Sequence, residues 1–138
     1  MAIQLDEIED AFLFVSMDQK FLHNAYLCKA SGQIFYTSEL GDSDELPDDI
    51  DDAEKYIAIP HKNDLDLGKA LVIEFTSEYL PEELDRIHAF FRSKGVYSRY
   101  KDLLSERGLL DEWYTFEEQR QMAALREWCR ENDIETKS

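Results

Sequence analysis

A chain of 138 residues, 43% apolar and 12% aromatic, is long enough for one core and too apolar for intrinsic disorder. Its 31 acids against 15 bases give a net charge of −16, which excludes a generally basic nucleic-acid binder. No apolar run nears the length of a membrane-spanning helix, and Met1–Glu7 lacks the basic region of a signal peptide.

Leu5, Ile8, Phe12 and Val15 repeat at helical spacing, so residues 4–15 read as an amphipathic helix. Asp6 and Glu7 fall where a helix N-terminus favours negative charge. Residues 25–29 and 34–37 are β-prone, and Ala30-Ser31-Gly32-Gln33 joins them as a hairpin. Residues 39–55 hold nine acids and one base, a charge of −8 that favours a solvated loop, poorly packed and dispensable for folding. Tyr56-Ile57-Ala58-Ile59-Pro60 reads as a third strand, whose proline suits an edge or an end.

From residue 61 the pattern is helical. Leu67, Ala70, Leu71, Phe75 and Leu80 mark one helix, and Pro81-Glu82-Glu83 opens a second with the stripe Leu84, Ile87, Phe91. Gly95 ends or kinks it. Val96, Tyr100, Leu103 and Leu104 carry a third helix, which Gly108 stops. A last helix spans about 111–131, and the tail from Glu135 is expected to fray. Trp113, Phe116 and Trp128 are expected to anchor the helical part. The fold class is α+β: an N-terminal helix, an antiparallel sheet of about three strands, and four helices packed on it and on each other. One domain is expected, with helix and sheet in 1–60, the acidic loop at 39–55 and the helical part in 61–138.

Catalytic motifs are absent from the sequence: there is no phosphate loop, GxSxG or HExxH, and no cofactor is implied. His23, His61 and His88 lie in separate elements without a metal-spaced neighbour. His88 borders an apolar stripe and reads as a packed histidine, and His61 as a loop residue. Cys28 and Cys129 form no CxxC and read as reduced thiols, Cys129 a structural one. The acidic block does not make a calcium loop, because the sixth position from Asp42 is Pro47 and from Asp44 is Asp49, not glycine. It reads as a loose cation-attracting surface or a docking surface for a basic partner.

Between Arg86 and Lys101 stand five bases and no acid, interleaved with Phe90, Phe91, Tyr97 and Tyr100. Such a mixture can hold anions and stack on planar groups. Its alternative is internal pairing with the many acids, the side-chain stems lying along an apolar stripe. Tyr100 shares a face with Val96, Leu103 and Leu104 and belongs to the core. The candidate binding residues are therefore Arg92, Lys94, Tyr97, Arg99 and Lys101.

Several segments are familial. Tyr56–Pro60, Gly95-Val96-Tyr97-Ser98-Arg99-Tyr100-Lys101-Asp102, Trp113-Tyr114-x-Phe116 and Glu127-Trp128-Cys129-x-Glu131-Asn132, with the hairpin at 26–34, resemble a bacterial family known as uncharacterised protein family 0158. Ser93-Lys94-Gly95 stands where that family has Gly-Arg-Gly, and Ser98 where it has arginine. The resemblance implies a cytosolic bacterial protein and brings no activity with it. The function expected is non-catalytic interaction or regulation in the cytoplasm through a protein partner. The alternatives are nucleic-acid or nucleotide binding through 86–101, which the net charge opposes, and a small enzyme whose site assembles only in three dimensions.

Overall fold

The computed structural model describes residues 2–18 and 20–137. Its fold is α+β, with five α-helices and a three-stranded antiparallel sheet among the described residues. The chain divides into two compact units, one made of residues up to Leu65 and from Met122 onward, the other of Asp66–Gln121. No helix among the described residues is long and apolar enough to cross a membrane.

The first unit opens with β1 (Ile3–Gln4) and α1 (Leu5–Val15). The helical spacing of Leu5, Ile8, Ala11, Phe12 and Val15 puts all five on the buried face. Helix α1 contacts β2 (His23–Cys28), whose period-two alternation buries His23, Ala25 and Leu27. Strand β2 is central, between β3 (Ile34–Ser38) and β4 (Tyr56–Ala58), and both pairings are antiparallel. The Ile59 N–H still donates to Ala25 O at 2.9 Å, and Pro60, which has no N–H, ends the ladder there.

The acidic block has neither helix nor strand, and most of it is exposed. It is nevertheless held in place. Tyr36 N–H donates to the Asp44 carboxylate at 2.8 Å, and Asp44 N–H donates back to Tyr36 O at 2.8 Å. These bonds occupy the outer edge of β3, which would otherwise offer unpaired groups to another strand. Asp49 accepts from Lys55 Nζ at 2.9 Å and from Tyr56 Oη at 3.0 Å. The block is therefore a bonded cover on the sheet edge as well as a charged surface.

Further helices are α2 (Lys69–Tyr79), α3 (Leu84–Phe90), α4 (Val96–Glu106) and α5 (Leu110–Glu131). A 3-10 turn, Lys62–Leu65, precedes α2, and another, Pro81–Glu83, leads into α3. Gly108 has φ +70°, and the following Leu109 N–H donates to Leu104 O at 2.8 Å. That six-to-one bond closes α4, because glycine enters the left-handed region without a Cβ clash. Gly95, at φ +75°, separates the turn after α3 from the first residue of α4.

The core of the second unit is Leu71, Val72, Phe75, Leu80, Ile87, Tyr100, Leu103, Leu104 and Trp113, with Phe116 partly buried against it. Trp113 meets Phe75 and Tyr100 edge-on, at centroid distances of 5.3 and 5.0 Å. The Tyr100 hydroxyl and the Trp113 indole N–H are buried without a hydrogen-bond partner.

Three expectations are corrected. Trp128 is half-buried and belongs to the first unit, so it does not anchor the helical core. It lies about 100° round the helix from buried Cys129, at the margin of the apolar stripe. His88 is exposed while Ile87 takes the buried position, so it is not a packed histidine. The tail does not fray over Glu135–Lys137, and Ser138 lies outside the described residues. Asp133 adopts φ +57°, Ile134 N–H returns to Cys129 O at 2.8 Å, and Ile134 is buried. That turn delivers β5 (Thr136–Lys137) to pair in parallel with β1.

Candidate functional site

The basic segment runs from α3 through the turn at 91–95 into α4, entirely within the second unit. Its apolar residues fix the geometry: Ile87 and Tyr100 are buried, and Phe90 and Phe91 pack partly buried against the same core. The positions between them are forced outward. Arg92, Lys94, Arg99 and Lys101 are all exposed, and Tyr97 is 36% exposed.

The five bases of the segment have different partners. Arg86 pairs with Glu83 at 3.6 Å and lies over the Phe90 ring at 5.6 Å. Arg99 donates from Nη1 to Ser93 Oγ at 2.8 Å, which draws the first turn of α4 to the preceding turn. Lys101 projects its ammonium over Tyr114 of α5, at 5.4 Å. Arg92 and Lys94 make no ion pair among the described residues, nor do Arg99 and Lys101. By contrast, Arg107 pairs with Glu82 and Glu83, and Arg120 with Glu74.

Arg92, Lys94, Tyr97 and Arg99 share the turn and the first turn of α4, whereas Lys101 is directed to α5. Phe91 and Tyr97 meet edge to face at 6.3 Å. Lys69 of α2 lies over the Phe91 ring at 5.3 Å and makes no ion pair among the described residues. Lys69 was absent from the sequence-based set. It stands far upstream of the segment, and only tertiary packing brings the two together. Burial raises the Tyr97 phenol above its ordinary pKa, and the Glu117 charge adds to this. Exposed guanidinium and ammonium groups of this kind are suited to carboxylate or phosphate oxygens.

Elsewhere the titratable groups serve the fold. His61 is buried, accepts the Asn63 N–H on Nδ1 at 3.1 Å, and donates from Nε2 to Asp18 O at 2.7 Å. Those partners occupy both ring nitrogens and leave none for a substrate. Burial pushes the Cys129 thiol up to about 11. Hydrogen bonds from Ser31 lower the thiol pKa of Cys28. Among the described residues no group of three or more His, Cys, Asp or Glu converges as a metal site.

Searches of curated proteins and of solved structures found no match. A family model does match, over residues 1–137, in accord with the resemblance carried by the segments around Tyr56, Gly95 and Trp113. The chain belongs to the uncharacterised protein family UPF0158.

Proposed function

We propose that the chain is a non-catalytic interaction protein of the bacterial cytosol that docks an acidic segment of a protein partner on Arg92, Lys94 and Arg99, with Lys69 and Tyr97 beside them. One observation carries this reading. In a chain with twice as many acids as bases, these cations are exposed and make no ion pair among the described residues. Internal pairing would have consumed them, as it has Arg107 and Arg120.

Nucleic acid is the second reading, favoured by the aromatic edges of Phe91 and Tyr97 among the cations. The charge of −16 opposes it, because long-range repulsion slows encounter with a polyanion. The test compares Lys94→Glu and Arg99→Glu with the parent in thermal melting and in capture from lysate at low and high salt. Unchanged melting with lost, salt-sensitive capture supports docking. Lowered melting with intact capture refutes it. Capture abolished by nuclease moves the assignment to nucleic acid.

A further inference from the structure

The first unit contains a cavity of about 440 Å³ that is independent of the basic segment. Buried Ile59 and Pro60 contribute to its lining, together with the rings of Phe21 and Trp128. Phe21 is 75% exposed and has φ +74°, a conformation that a bulky side chain rarely adopts. Its carbonyl is held by Asn24 Nδ2 at 3.0 Å. A strained, exposed aromatic lining a cavity points to use of the ring.

The polar side of the cavity selects one charge. The Lys20 ammonium pairs with Asp64 and stands 5.6 Å from the centroid of the Phe21 ring. A carboxylate and an aromatic face thus already form a seat for a cation, filled by the chain's own lysine. Asp64 also accepts the His61 N–H at 3.1 Å, and the Lys20 ammonium holds its carboxyl below the usual range. Glu131, three residues after Trp128 and on the same face of α5, adds a second carboxylate, without an ion pair among the described residues. The unit as a whole has 19 acids and 7 bases, a field that attracts cations and repels anions.

We infer that this cavity binds a guanidinium or alkylammonium group on an apolar stem, whose head displaces Lys20 from Asp64 and Phe21 while the stem lies along Trp128. Lys20 is then a tethered competitor. Its removal strengthens binding of a cation and would weaken binding of an anion, so the sign of one substitution decides between them.

The test titrates the protein with n-butylguanidinium, with n-butanesulfonate and with a capped Ala-Arg-Ala tripeptide, reading tryptophan fluorescence and, in parallel, heat. Trp128→Phe should erase the fluorescence change while the heat signal persists. Lys20→Ala should tighten n-butylguanidinium binding up to about fivefold, and Asp64→Asn should loosen it by up to about fivefold, in line with one exposed charge contact. Equal affinities for the tripeptide and the free cation mark a small-molecule ligand, and a tripeptide about tenfold tighter marks a chain-borne arginine. Weaker cation binding in Lys20→Ala, sulfonate binding, or no heat with either cationic probe overturns the assignment. Circular dichroism of each folded variant keeps misfolding from being read as lost binding.

Discussion

Replacing Tyr100 with phenylalanine should stabilise the protein. Tyr100 is fully buried, and its hydroxyl has no hydrogen-bond partner. The neighbouring Thr76 hydroxyl gives its proton to Val72 O at 2.8 Å, and its oxygen does not meet the Tyr100 O–H in hydrogen-bond geometry. Folding therefore strips water from the phenol oxygen without replacing it, a penalty of about 1–3 kcal/mol. Phenylalanine keeps the ring edge-on to Trp113 at 5.0 Å and forfeits only the packing of one oxygen. The expected net gain is about 1 kcal/mol, or about 3 °C in melting temperature for a chain of this size. Alkaline pH adds a second signature. Burial raises the Tyr100 phenol far above its ordinary value, so the unfolded chain loses a proton above about pH 10 while the folded chain keeps it. That contribution to stability is present below pH 10 and lost as pH rises through the raised folded value, a loss absent from Tyr100→Phe. Calorimetry or denaturant melts at pH 7 and pH 10.5 measure both effects. A drop of about 1 kcal/mol at pH 7, the ordinary result of losing a satisfied hydroxyl, would refute the reasoning.

The two thiols should separate kinetically: an aromatic disulfide reagent at pH 8 is expected to titrate Cys28 quickly and Cys129 only after denaturation, and equal rates would contradict the burial of Cys129. Gly95→Ala should lose about 1 kcal/mol in denaturant unfolding, because φ is +75° while nothing beyond the adjacent residues lies within 4 Å of the added Cβ; a neutral result would show that the turn relaxes. Deleting residues 42–52 uncovers the Tyr36 edge of β3, so the expected outcome is concentration-dependent association in sedimentation with the circular dichroism retained. A deletion variant that stays monomeric would show that the loop does not guard that edge.

Elements whose causes are local were legible in the sequence. Helix α1 follows from Leu5, Ile8, Phe12 and Val15 at helical spacing, and the hairpin from a short glycine-containing connector. Gly108 ends α4 where its left-handed preference places the stop. The burial of Tyr100 followed from its stripe. Features created by tertiary placement were not legible. Trp113 and Trp128 look alike in one long amphipathic run, yet one is core and the other borders a cavity. His61 is the loop residue the sequence suggests, but its burial, with Asp18 and Asn63 at its ring, comes from tertiary placement. The basic segment was visible as a charge anomaly within one stretch of chain, whereas Lys69 joins it only through packing on Phe91. The strain at Phe21 had no sequence signal, because neither glycine nor asparagine marks that position.

The docking assignment is tested most directly by residue-resolved NMR during titration with an acidic octapeptide of alternating Glu and Asp. The expected result is that amide shifts concentrate at 91–101 and at Lys69, weaken as salt rises, and vanish in Lys94→Glu with Arg99→Glu. Shifts that spare this segment, or that persist unchanged in the doubly substituted protein, would contradict it.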